Sequence, residues 1–139
     1  MVNKDLIYRK IKLISKDLKG LKQISYLSEK EYFANPILEI QVERHLERII
    51  GRMIDINYHI ITEIGDPPPS DYFESFVNLG KLKVLPKEFS QEIASYAGLR
   101  NRLVHEYNFL DEKKIYQAMK KLMKDIPKYF QYIEKYIEG

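Results

Sequence analysis

Between Pro36 and the run Gly65-Asp66-Pro67-Pro68-Pro69 the chain keeps helical apolar spacing without a break. Pro36 is a favoured first-turn residue, and three consecutive prolines cannot continue a helix, so the pattern predicts one element over Ile37–Ile64. Such a helix is about 40 Å long. Leu38, Val42, Leu46, Ile49, Met53, Ile56 and Ile60 form one seam, which Ile50, Ile54 and Ile61 widen. That face is broader than one neighbouring helix needs, which predicts core on one side and a subunit contact on the other.

The other segments follow the same period. Ile7, Ile11, Ile14, Leu18 and Leu21 step by three and four and predict a helix over Lys4–Leu27. Asp71 followed by Glu74 reads as a capping box opening a short helix to Leu79, with Gly80 ending it. Lys81–Leu85 reads as a turn or short extended piece. Pro86 then starts a helix that runs toward Gly98. Asp111 caps a last helix over Glu112–Ile137, with Ile115, Met119, Leu122, Ile126, Phe130, Ile133 and Ile137 inward and a kink expected at Pro127. About five helices in 139 residues make one domain, residues 1–139, an all-α up-and-down bundle.

Composition removes several chemistries. There is no cysteine, hence no disulfide, thiolate metal site or Cys nucleophile, which fits a reducing cytoplasm. No Glu-x-x-His pair suggests a di-metal bundle, and no glycine loop cradles phosphate; the reading assigns no metal and no cofactor. The N-terminus lacks a signal-peptide core, and Arg52, Asp55 and Glu63 interrupt the most apolar stretch, so no membrane span is expected. A net charge of +3 is too small to argue nucleic-acid binding by itself.

The chemistry gathers in Gly98-Leu99-Arg100-Asn101-Arg102-Leu103-Val104-His105-Glu106-Tyr107. Arg and His together suit RNA cleavage without a metal. An imidazole titrating near pH 7 can take the proton of a 2′-hydroxyl or protonate the leaving 5′-oxygen. A guanidinium can bind the phosphate and stabilise its developing charge. His105 and Arg100 are the residues for these roles, with Asn101 orienting His105 or the phosphate. The plainer reading is a helix whose Leu103 and Val104 face the core while the polar residues are solvated. Geometry adds a constraint: on an unbroken helix Arg100 and His105 are about 140° apart and cannot converge. Either the helix bends at Gly98 or Asn101, or Arg100 of one subunit faces His105 of another about a two-fold axis.

Arg-Asn-Arg-Leu-Val-His-Glu-Tyr resembles the R-x4-H-x-Y signature of the HepT-like branch of the HEPN superfamily. Glu43-Arg44 with the run Ile49–Ile61, and Tyr72-Phe73-Glu74-Ser75-Phe76 with Leu79-Gly80, agree with it; the resemblance spans Ile37–Asp111. It implies a HEPN-like bundle forming a two-fold dimer with a composite Arg100/His105 site at the interface. The implied function is that of a toxin in a toxin–antitoxin system, a metal-independent endoribonuclease acting on RNA. Its implied partner is a nucleotidyltransferase antitoxin of the MNT type that attaches AMP to Tyr107. The alternative is a non-catalytic HEPN-like dimer that only binds the nucleotidyltransferase.

Two basic surfaces are candidates for RNA contact. Arg44, Arg48 and Arg52 form a ridge at steps of four, either a phosphate track or a solvated ridge balanced by Glu39, Glu43 and Glu47; Arg102 is a further candidate. Lys113, Lys114, Lys120, Lys121, Lys124 and Lys128 make the last helix basic, and Tyr129, Tyr132 and Tyr136 either stack bases or pack. Asp55 and His59, one turn apart, read as a structural polar pair. His45 has no evident partner in the sequence.

Overall fold

The longest helix is the hub around which the others are laid. The computed structural model describes residues 2–105 and 110–139. Among them are seven helical segments: α1 (Lys4–Ser25), α2 (Glu29–Phe33), α3 (Pro36–Ile64), α4 (Tyr72–Lys81), α5 (Lys87–Ile93), α6 (Ser95–His105) and α7 (Glu112–Glu138). Helix α3 packs against α1, α2, α4, α6 and α7. Contacts between α1 and α3 pair early residues with late ones: Asn3 N–H donates to His59 Nε2, Lys10 meets Asp55, and Asp17 meets Arg48 and Arg52. The two helices are therefore antiparallel. Tyr8 and Lys4 reach Glu138 while Lys120 reaches the Ser25 carbonyl, so α1 is antiparallel to α7 as well. The result is the expected all-α up-and-down bundle.

Local chemistry explains the boundaries. Asn3, Asn35, Asp71 and Asp111 cap α1, α3, α4 and α7 by accepting first-turn backbone N–H groups, and Pro36 stands in the first turn of α3. Gly65 ends α3 with φ +102°, a left-handed conformation that glycine adopts at no steric cost. Helix α2, which the sequence reading omitted, is held by a full capping box between Ser28 and Glu31. Helix α7 continues through Pro127.

Three expectations need correction. The wide apolar face of α3 is consumed within the chain: Ile49, Ile50, Met53, Ile54, Ile56, Ile60 and Ile61 are all buried by neighbouring helices. It therefore supplies no separate reason for a subunit contact. Gly80 lies inside α4 rather than ending it; a Cβ there would collide with the Ser90 side chain, so its role is close approach of α5. The segment from Pro86 is broken at Ala94, where buried Ile93 and Ala94 turn into the core, and α6 runs unbroken across Gly98 and Asn101.

A buried polar line crosses the core. Tyr129 Oη donates to Asn57 Oδ1 at 2.6 Å, Asn57 Nδ2 donates to Ser75 Oγ at 3.2 Å, and Ser75 Oγ donates to the Tyr72 carbonyl at 2.7 Å. Tyr129, Asn57 and Ser75 are fully buried, so this tyrosine is a core strut and not a base-stacking surface.

Candidate active site

Helix α6 is fixed by one side of its surface. Tyr96, Leu99 and Leu103 recur at steps of three and four and are buried, along with Ala97. Tyr96 also donates to Asp125 Oδ2 at 2.6 Å, and Lys121 Nζ meets the same carboxylate at 2.8 Å while lying 4.9 Å from the Tyr96 ring centroid. Burial and the Asp125 carboxylate both raise the pKa of the Tyr96 hydroxyl, so it stays a neutral donor. Rotation of α6 about its axis is thereby set.

That setting places each signature residue. Arg100, one turn after Tyr96, sits at the edge of the buried stripe and is half-buried. Its Cζ lies 5.2 Å from the ring centroid of Tyr72, at the start of α4. Its Nε is buried and has no hydrogen-bond partner among the described residues. Asn101 and His105 are exposed and, one turn apart, share a face. Arg102 is exposed and lines a cleft of about 430 Å³ between α6 and α7 with Lys114 and Lys121. Tyr107 lies outside the described residues. Helix α6 is continuous from Ser95 to His105, which sets Arg100 and His105 about 140° apart around its axis.

The basic ridge of α3 is organised differently from expectation. Asp17, on α1 and 5 % exposed, accepts from Arg48 Nη2 at 2.7 Å and Arg52 Nη1 at 2.6 Å and lies 2.7 Å from His45 Nδ1. Burial alone would raise the Asp17 pKa, but hydrogen bonds from Arg48 and His45 outweigh it and hold the carboxyl below its ordinary range. Arg48 and Arg52 are thus engaged from α1, and not balanced by the neighbouring glutamates; Arg44 is exposed. His45 has a partner after all. Glu39 and Glu43 instead share a field with Glu112 of α7, whose carboxylate accepts from Tyr32 Oη at 3.1 Å. Asp55 and His59 do not pair with each other, since Asp55 meets Lys10 and His59 accepts from the Asn3 backbone.

Other features bear on the site only by location. A cleft of about 970 Å³ between the α4–α5 turn and the end of α7 contains none of Arg100, Asn101 or His105. Among the described residues no group of three or more His, Asp or Glu is placed to hold a metal ion, and no helix is long and apolar enough to cross a membrane.

The described residues thus form an all-α bundle that presents Arg100, Asn101 and His105 on one short helix. The family model described as Ribonuclease HepT-like matches residues 14–135, and the chain belongs to that family. It is 33 % identical over 132 residues to the tRNA nuclease HepT of Aphanizomenon flos-aquae, covering 95 % of this chain and 90 % of that protein. Against the mRNA nuclease HepT of Shewanella oneidensis it is 25 % identical over 130 residues, covering 94 % and 97 %. The tri-AMPylated Shewanella oneidensis HEPN toxin in complex with MNT antitoxin has the same fold, with a TM-score of 0.85 at 24 % identity over 94 % of this chain and 98 % of that one. YutE of Bacillus subtilis, a cytosolic protein of unknown function, also superposes with a TM-score of 0.85, at 18 % identity over 99 % and 92 %.

Proposed function

We propose that this chain is the ribonuclease toxin of a toxin–antitoxin pair and that it cleaves RNA without a metal at a site shared by two protomers. Membership of the ribonuclease family over residues 14–135, with Arg100 and His105 both present, carries the reading. The relatives' activity on tRNA and mRNA supports RNA as the substrate class. The unbroken α6 supports the homodimer: one helix turns Arg100 and His105 apart, whereas two copies about a two-fold axis can close them on one phosphodiester.

In this mechanism His105 takes the proton of the 2′-hydroxyl, whose oxygen attacks the adjacent phosphorus. Arg100 of the other protomer binds the phosphate and stabilises charge gathering on its non-bridging oxygens. The P–O5′ bond breaks, and the 5′-oxygen leaves with a proton supplied by an imidazolium or by water. The products are a 2′,3′-cyclic phosphate and a 5′-hydroxyl. Asn101, on the His105 face, orients the imidazole. Because the 2′-hydroxyl is the nucleophile, DNA is not cut.

The partner in this reading is a nucleotidyltransferase of the MNT type, and it silences the toxin by transferring AMP to Tyr107. The AMPylated HEPN toxin held by an MNT antitoxin supports this. AMP near Arg100 would place an anionic phosphate where the RNA phosphate binds. The test is cleavage of a defined RNA in the presence of EDTA. A cyclic-phosphate product that disappears with His105→Ala is expected; chelator-sensitive activity that survives His105→Ala would overturn the reading.

A further inference from the structure

Tyr72 stands on a different helix from the signature, yet its ring is what Arg100 lies against. We propose that Tyr72 is a positioning residue for Arg100 and is itself held in register by the buried line Tyr129–Asn57–Ser75. The inference rests on Arg100 being the phosphate-binding cation.

The first support is what surrounds the guanidinium. Arg100 is half-buried, its Nε is enclosed, and among the described residues no carboxylate pairs with it. A half-buried guanidinium needs an attraction that holds it in place. The negative face of the Tyr72 ring, 5.2 Å from Cζ, supplies it. This choice of partner matters for the chemistry. A carboxylate would fix the guanidinium too, but it would neutralise the charge and compete with phosphate for the same N–H fork. An aromatic face holds the cation and leaves its charge available.

The second support is how firmly the ring is placed. Tyr72 is 37 % exposed, so core packing alone does not hold it. Asp71 caps α4 through the Glu74 N–H, and Ser75 Oγ grips the Tyr72 carbonyl from the following turn. Ser75 is in turn fixed by Asn57 of α3, and Asn57 by Tyr129 of α7. The line runs from α7 to the first turn of α4, and Tyr129 Oη, its first donor, also lies 3.2 Å from the Met53 carbonyl of α3. Tyr58 closes on the Tyr72 ring edge-to-face, with centroids 6.2 Å apart and planes at 78°. Three helices thus fix the first turn that carries the ring.

The experiment measures RNA cleavage by wild type, Arg100→Ala, Tyr72→Phe, Tyr72→Leu and protein with stepwise-fluorinated phenylalanine at position 72. The Arg100 Nε–Hε resonance, assigned by its loss in Arg100→Lys, is recorded alongside. Tyr72→Leu is expected to lower kcat roughly five- to thirtyfold with little change in KM, and to move the Arg100 resonance downfield as the ring current is lost. Tyr72→Phe restores kcat to within about threefold, since the ring face remains. Fluorination keeps the ring's shape while draining its negative face, so kcat should fall step by step even if Tyr72→Leu fails to fold. An inactive Arg100→Ala together with unchanged kcat across the fluorinated series overturns the role of Tyr72. A fully active Arg100→Ala instead overturns the assignment of Arg100 itself.

Discussion

Arg52 donates from Nη1 to Asp17 Oδ2 at 2.6 Å, across the antiparallel seam between α3 and α1. Arg48 and His45 meet the other oxygen of the same carboxylate, so one buried anion holds three cationic or protonatable groups. Replacing Asp17 by Asn removes the anion and leaves the cations facing one another. We expect Asp17→Asn to lower unfolding stability by roughly 2–4 kcal/mol, less than a fully enclosed network because both arginines are partly solvated. Urea denaturation of wild type and variant checks this. Asp17 is held below its ordinary value of 3.8, so its contribution is present above that pH and is lost as pH falls through the lower, folded value. Acid unfolding should therefore begin at higher pH in the variant. Identical acid transitions would mean that the three contacts contribute nothing.

Gly20 sits in the middle of α1, where alanine would ordinarily favour the helix. A Cβ at this position would meet His45 Nε2 at 2.7 Å, and the ring cannot swing aside without leaving Asp17. Gly20→Ala should then destabilise by about 1–3 kcal/mol. In a His45→Ala background the same substitution should stabilise by about 0.5–1 kcal/mol, because only the propensity gain is left. The reversal of sign, read from chemical denaturation of the four proteins, is the observation to make. Destabilisation of equal size in both backgrounds would show that the His45 ring is not what glycine accommodates.

Much of this architecture was readable from spacing and caps. Helices α1, α3 and α7 follow from 3.6-residue apolar periodicity, with Pro36 and Asp111 marking the starts of α3 and α7, because both signals are local. What escaped were contacts between residues distant in sequence. Asp17 and His45 are on separate helices, and nothing near either one names the other, so His45 looked solitary. Tyr72 and Arg100 meet only because α4 and α6 are brought together. Asn57 and Ser75 lie in apolar-patterned segments whose polar members gave no sign of bonding to each other. Helix α2 carries a local signal, Ser28-x-x-Glu31, but its five residues are too few to show an apolar period. The breadth of the α3 face is legible in the sequence, and five neighbouring helices of the same chain account for it.

Glu43 gives the opposite pH dependence to Asp17. Burial, followed by the neighbouring Glu112 and Glu39, pushes its carboxyl up to about 8 from an ordinary 4.5. Folded protein keeps a proton that the unfolded chain has released, so stability falls as pH rises from 4.5 toward 8. Glu43→Gln removes that loss. The variant should melt above wild type at about pH 8 and close to it near pH 4.5, with a smaller slope remaining from Glu39, which shifts the same way. Thermal melts across the range check it, and parallel profiles would remove Glu43 as the cause.

Tyr107 is the proposed acceptor of AMP, and modification should be separable from catalysis. Incubating the protein with a nucleotidyltransferase of the MNT type, ATP and Mg²⁺ should add AMP to wild type and abolish RNA cleavage. Tyr107→Phe lacks the hydroxyl that attacks the α-phosphorus, so it should remain unmodified at that site and stay active under the same treatment. Intact-mass spectrometry with a parallel cleavage assay reads both effects. Modification of Tyr107→Phe to the same extent as wild type would place the acceptor elsewhere.

The shared site makes a demand that no single-chain site makes. Arg100→Ala and His105→Ala proteins should each be inactive as homodimers. Mixed through a cycle of unfolding and refolding, half of the dimers should be hybrids. Each hybrid pairs the intact Arg100 of one protomer with the intact His105 of the other at one of its two sites. Activity of about a quarter of wild type should then return, provided each site needs one Arg and one His. A site lying within one protomer predicts no recovery, since every protomer in the mixture lacks one residue. Native mass spectrometry of the mixture confirms that hybrids have formed. Hybrids without activity would therefore argue directly against Arg100 and His105 acting across the two-fold axis.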